Sequence, residues 1–90
     1  MKKCIITVVG KDTVGIIAKV CTYLAEKNIN ILDISQTIIQ GFFNMMMIVD
    51  VTGQDGDVSG ICDDLTAIGD GLGVRIHCQR AEIFEKMHRL

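Results

Sequence analysis

Residues 3–35, KCIITVVGKDTVGIIAKVCTYLAEKNINILDIS, decide the fold. From Lys3 to Val9 nearly every position is β-branched or apolar, the pattern of a central strand covered on both faces. Gly10, Lys11 and Asp12 interrupt it. Val14, Ile17, Ala18, Cys21, Leu24 and Ala25 then recur at the i, i+3, i+4, i+7 spacing of an amphipathic helix. Asp12 or Thr13 is expected to cap the free N–H groups of its first turn. Asn28, which tolerates a left-handed backbone, is expected to close it. From Ile29 to Gln40 the chain reads as extended again. Its apolar parity changes on the way: Ile29 and Ile31 share one phase, and Leu32, Ile34 and Ile38 the other. A bulge or kink near Leu32 would reconcile the two.

Working outward, Gly41 is a turn, and Phe42 to Val51 (FFNMMMIVDV) is a third strand, so close to the second that a hairpin must join them. Gly53 to Gly56 is a second turn. Val58, Ile61, Cys62, Leu65, Ile68 and Leu72 hold one helical face, with Asp57 as the expected cap. Gly60 and Gly69 weaken this helix by about 1 kcal/mol each relative to Ala, and would be kept if they let it approach the sheet. Gly71 and Gly73 are expected to end it. Val74, Ile76 and Cys78 alternate with Arg75, His77 and Gln79, a strand with one wet face. Ile83, Phe84, Met87 and Leu90 give residues 81–90 the stripe of a short C-terminal helix. The order β-α-β-β-α-β plus a tail helix is an α+β, ferredoxin-like arrangement. It predicts one domain over residues 1–90, with a four-stranded antiparallel sheet, two helices on one face and right-handed crossovers.

Ninety residues make one domain with a modest core, yet 49% of them are apolar, more than so small an interior holds comfortably. Net charge is −2 and scattered. The basic cluster that displaces counterions from nucleic acid is missing, as is a polybasic membrane patch. No segment reaches the ~18 apolar residues of a membrane span, and the short apolar run after Met1 does not make a signal peptide. Cys4, Cys21, Cys62 and Cys78 form no C-x-x-C pair and read as small buried hydrophobes in a reducing compartment, so a cytoplasmic location is expected. His77 and His88 read as solvated residues. No metal or cofactor site is legible.

With both helices on one face of the sheet, the other face should be polar if it meets water. The third strand is apolar on both parities: Phe43, Met45, Met47, Val49 and Val51 on one, and Phe42, Met46 and Ile48 with Asn44 and Asp50 on the other. The open face therefore wants cover: stacking of a second sheet, edge-to-edge pairing or the tail helix. A homodimer with Met46 or Ile48 near the contact is expected. Met45, Met46 and Met47 point alternately to opposite faces and form no soft-metal cluster.

The segment from Gly10 to Ile17 joins the first strand to the first helix. Such a loop offers backbone N–H groups at the positive end of a helix dipole, where a carboxylate can dock. Gly15 leaves room for a ligand or another backbone. Asp12 can accept from an ammonium group, and Asn30 can donate and accept at once. Together, Asp12, Thr13, Val14, Gly15, Ile16 and Asn30 would complement a zwitterionic amino acid. On the residues alone, Asp12 as a simple cap and Gly15 as a packing glycine is the favoured reading over a ligand site. The loop is neither a Walker motif nor a G-x-G-x-x-G fingerprint.

VVGKDTVGIIAKV (8–20), followed by AEKNINILDISQ (25–36), resembles the signature of the ACT domain family across the whole chain. With DISQT and MMMIVDV, the chain is similar to stand-alone single-ACT-domain proteins related to the ACT modules of glycine cleavage regulators. The resemblance implies an amino acid bound at a subunit interface and transmitted as regulation. It carries the family's loop glycine onto Gly15 and its polar contact positions onto Asp12 and Asn30. Many members have Pro or Ser before that glycine, where this chain has Val14. A regulatory, small-molecule-sensing homodimer or higher homo-oligomer is thus expected, rather than an enzyme. The alternative is a ligand-free module that regulates a partner protein. An acylphosphatase on this fold calls for an arginine in the first loop, which has none, and RNA binding through the sheet wants exposed aromatics on a basic face.

Overall fold

A computed structural model describes residues 2–11, 15–53 and 58–80. The elements run β1 (Lys3–Lys11), α1 (Ile16–Glu26), β2 (Asn30–Ile39), β3 (Phe42–Asp50), α2 (Val58–Leu72) and β4 (Arg75–Arg80). The four strands make one antiparallel-paired sheet in the order β2-β3-β1-β4, so β1 and β3 are central and β2 and β4 are edges. This is the ferredoxin-like order expected from the sequence.

Cys4, Ile6 and Val8 of β1 and Phe43, Met45, Met47 and Val49 of β3 face the helices and are fully or almost fully buried. They meet Ile16, Val20 and Leu24 of α1 and Ile61 and Leu65 of α2 in a single core. α2 keeps the stripe expected of it. In α1 the buried positions are Ile16, Val20 and Leu24, whereas Ile17, Ala18 and Ala25 are exposed and Cys21 is half-buried, which corrects the expected phase. The cause is the start of the helix. Gly15, with φ +92°, is the N-cap; Asp12 and Thr13, the expected caps, lie outside the described residues. The buried i, i+4, i+8 positions therefore count from Ile16.

β1 also runs past the break expected at Gly10. A Cβ on Gly10 would lie 2.8 Å from Cγ1 of Val74, so this glycine is a strand residue that lets the start of β4 pack closely. Gly69 does the same for α2, since its Cβ would fall 2.9 Å from both the Val74 carbonyl oxygen and Cγ1 of Ile76. Gly71 is still helical, and Gly73, at φ +75°, ends α2. Both helices close in the same way. Asn28 (φ 57°) sends its N–H to Ala25 while the Ile29 N–H reaches the Leu24 carbonyl at 2.9 Å, and Val74 likewise donates to Gly69 at 2.9 Å.

The bulge in β2 falls at Leu32: Ile31 pairs with Val49, and Asp33 with Ile48. One inserted residue puts Ile31, Ile34 and Ile38 on the same face, opposite Val49, Met47 and Phe43. The β2–β3 turn carries positive φ at both Gln40 (51°) and Gly41 (82°), the type I′ geometry whose twist suits a two-residue hairpin. Asp57, the expected α2 cap, and the tail helix over 81–90 lie outside the described residues. Of the cysteines only Cys4 is buried; Cys21, Cys62 and Cys78 are half-buried.

Candidate functional site

Gly15 ends the β1–α1 loop with nothing within 4 Å of the place a Cβ would take. It is therefore no packing glycine: its left-handed φ needs glycine, and the space beside it is open. Its carbonyl accepts from the Lys19 N–H at 2.9 Å, the first bond of α1. Among the described residues no side chain caps the N–H groups of the first turn, the N-cap being Gly15. Ile16 is buried in the core, so only its backbone can face a ligand. Asp12, Thr13 and Val14 lie outside the described residues.

Asn30 opens β2, exposed, opposite Asp50 in β3. The Asp50 carboxylate accepts from the backbone N–H and the hydroxyl of Thr52, which holds it below the usual carboxylate range. Asp50 escaped sequence reasoning because it looked like one polar residue in an apolar strand. Only the strand register sets it beside Asn30.

The two halves of the expected site stand at opposite ends of one subunit. β1 and β2 both run antiparallel to β3. Lys3 and Asn30 share one end of the sheet, opposite Asp50, while Lys11 and Ile39 share the other, opposite Phe42. The eight residues from Lys3 to Lys11 span about 27 Å at ~3.4 Å per residue. The loop that leaves β1 is thus a sheet's length from Asn30 in the same chain.

β2 is an exposed edge. Ile34, Ile38 and Ile39 are 44%, 55% and 64% exposed, and the strand NILDISQTII holds no Lys, Arg or Pro. Natural edges are usually blunted by such residues or covered. The Leu32 bulge is its one irregularity.

On the helix side, the Tyr23 hydroxyl donates to Asp64 at 2.6 Å and ties α1 to α2 beside a shallow groove between the helices. Burial first, then this bond, pushes the tyrosine well above its ordinary range. The Cys62 thiol donates to the Cys78 carbonyl at 3.5 Å. Burial and the neighbouring Cys62 side chain push the Cys78 thiol up. Among the described residues no three His, Cys, Asp or Glu side chains are placed to hold a metal ion, and no helix is long and apolar enough to cross a membrane.

The ACT domain family model matches residues 2–79. The chain belongs to the ACT domain family. The UPF0237 protein of Bifidobacterium longum is 64% identical over 90 residues, covering all of both chains. An ACT domain protein from Streptococcus pneumoniae has the same fold, with a TM-score of 0.82 at 44% identity over 93% of this chain and 94% of that one. A structure described as a glycine cleavage system transcriptional repressor superposes with a TM-score of 0.77 at 22% identity, over 88% of this chain and 45% of the other, a likeness of fold. The resemblance read from the β1–α1 loop and the strands after it is thereby confirmed.

Proposed function

We propose that this ACT domain is a regulatory sensor that works as a homodimer and binds a free amino acid at sites shared between the two subunits. The observation that carries this reading is the β2 edge. A second copy related by a two-fold axis can add its own β2 antiparallel to the first, satisfying the open N–H and C=O groups and shielding Ile34 and Ile38. In that arrangement the Asn30 end of one β2 lies against the Ile39 end of the other. Asn30 then comes to the end of the partner's sheet from which the partner's Asp12–Ile16 loop departs. What one chain holds apart, the pair brings to the same end.

In such a site the ligand carboxylate takes the first-turn N–H groups of α1 beside Gly15, where the helix dipole favours negative charge. The ammonium meets Asp12 from the same chain and Asn30, with Asp50 beside it, from the other. The amino acid then links two subunits, which is how its binding is passed on as regulation.

A melting screen over the twenty amino acids and common 2-oxo acids tests it, with wild type beside Asn30→Ala. Asn30 is exposed, so its loss leaves the core intact. One or a few amino acids should raise the wild-type melting temperature, with the shift reduced in Asn30→Ala. If no compound shifts the wild type at millimolar concentration, the sensor reading falls and the ligand-free partner-regulating module replaces it.

A further inference from the structure

We infer that the flank of α1 carrying Ile17, Cys21 and Ala25 packs against the same flank of a second copy. The homodimer proposed above, on which this inference rests, is then held by a helix pair as well as by the β2 edge. The first observation is where that flank lies. Ile16, Val20 and Leu24 bury one side of α1 against the sheet. Lys19, Thr22, Tyr23 and Glu26 line the groove shared with Ile68 of α2, and Tyr23 is bonded to Asp64 there. α2 in turn packs most closely on β4, the edge farthest from β2. Ile17, Cys21 and Ala25, four residues apart, therefore form the flank turned away from α2, on the β2 side. Ile17 is 38% exposed, Ala25 is exposed and Cys21 half-buried. The apolar stripe legible in the α1 sequence thus has members that the subunit's own core does not use.

The second observation is the asymmetry of β2. Past the bulge, Ile34, Gln36 and Ile38 pair with Met47, Met45 and Phe43 and share the helix side of the sheet. Asp33, Ser35 and Thr37 pair with Ile48, Met46 and Asn44 and share the other side. Ile34 and Ile38 remain exposed, so the helices do not reach over this edge. Apolar surface continues from the β2 edge onto the helix side, and on the other side the strand is polar.

The third observation is size. A stable interface takes about 20–30 residues a side. β2 has ten, so strand pairing alone falls short and the contact must extend, towards the apolar side. The flank fits itself. A two-fold axis perpendicular to the sheet pairs the β2 strands antiparallel and also runs the two α1 helices antiparallel. Centred on Cys21, Ile17 then meets the partner's Ala25, large against small, and Cys21 meets its own counterpart. No charged residue stands among the three.

The test joins cross-linking to sedimentation equilibrium on the full chain. A short bismaleimide should join Cys21 to Cys21 in the peptide map of the wild-type dimer, and Cys21→Ser should abolish that link. Ala25→Arg, an exposed change that suits a helix, should weaken the dimer at least tenfold with the far-UV spectrum kept. Thr22→Arg, on the flank facing α2, should leave the dimer unchanged. A dimer that tolerates Ala25→Arg as well as Thr22→Arg, or whose cross-links avoid Cys21, would overturn the inference and leave edge pairing standing. A wild type that stays monomeric at every concentration would remove the homodimer and the helix pair together.

Discussion

Gly69 and Gly71 sit two residues apart in α2 and should respond oppositely to the same substitution. At Gly69 a methyl group arrives 2.9 Å from the backbone oxygen of Val74 and 2.9 Å from Cγ1 of Ile76. The oxygen cannot swing aside, because Val74 is tied to Gly69 by its own N–H at 2.9 Å. Relief requires α2 to lift from β4, the strand it packs against most closely. Overpacking of this kind costs about 1–3 kcal/mol. Replacing glycine in a helix returns about 1 kcal/mol. Gly69→Ala should therefore lose up to about 2 kcal/mol, and its melting temperature should fall by up to roughly 10 °C for a domain of this size. At Gly71 nothing lies within 4 Å and φ is not positive, so Gly71→Ala meets no obstacle. It keeps only the helix-propensity gain, up to about 1 kcal/mol and a few degrees. Far-UV circular dichroism melts at one fixed protein concentration hold any dimer contribution constant. A Gly69→Ala protein as stable as Gly71→Ala would refute the close approach of α2 to β4.

Three further outcomes follow from the geometry. Ile38→Lys puts a charge on the open β2 edge, and sedimentation equilibrium should show the wild-type dimer shifted to monomer with the far-UV spectrum kept; an undisturbed dimer would move the interface elsewhere. The folded state holds the Tyr23 proton more tightly than the unfolded chain, whose pKa is about 10. That stabilisation is complete below pH 10 and lost as pH rises beyond it, so Tyr23→Phe should melt with a flatter dependence than wild type above pH 10, and parallel curves would contradict the Tyr23–Asp64 bond. Native alkylation at pH 8, read by mass spectrometry, should spare Cys4, which is buried, and Cys78, whose thiol is held protonated by burial and by Cys62, while unfolding exposes both.

Much of this fold was legible because local and global signals agree in the chain. The parity change around Leu32 marks the bulge in the sequence itself, since only an inserted residue can put Ile31 and Ile34 on one face. Asn28 closes α1 as its tolerance of positive φ suggested. The α1 phase was misread because Val14, Ile17 and Ala18 mimic a stripe, while the true start depends on Gly15 adopting φ +92°, which composition does not reveal. Gly10 looked like a strand end because its reason, the side chain of Val74, is sixty-four residues away. The candidate site was half legible. Gly15 and Asn30 could be picked out singly, but their placement at opposite ends of the sheet follows from strand register, as does the nearness of Asp50 to Asn30.

The central claim is that each amino acid site is built from two chains, and complementation tests it most directly. Asp12→Ala and Asn30→Ala are prepared separately, then mixed and allowed to exchange subunits. The amino acid that most stabilises the wild type is titrated calorimetrically into each sample. Either variant alone should bind weakly. In the mixed dimer, one site pairs the intact loop of the Asn30→Ala chain with the intact Asn30 of the Asp12→Ala chain. That species should recover wild-type affinity at one site of two, about half the wild-type stoichiometry for the mixed dimer. Mixing with no recovery of binding would mean that the loop and Asn30 do not meet across the interface, and the shared site would be wrong.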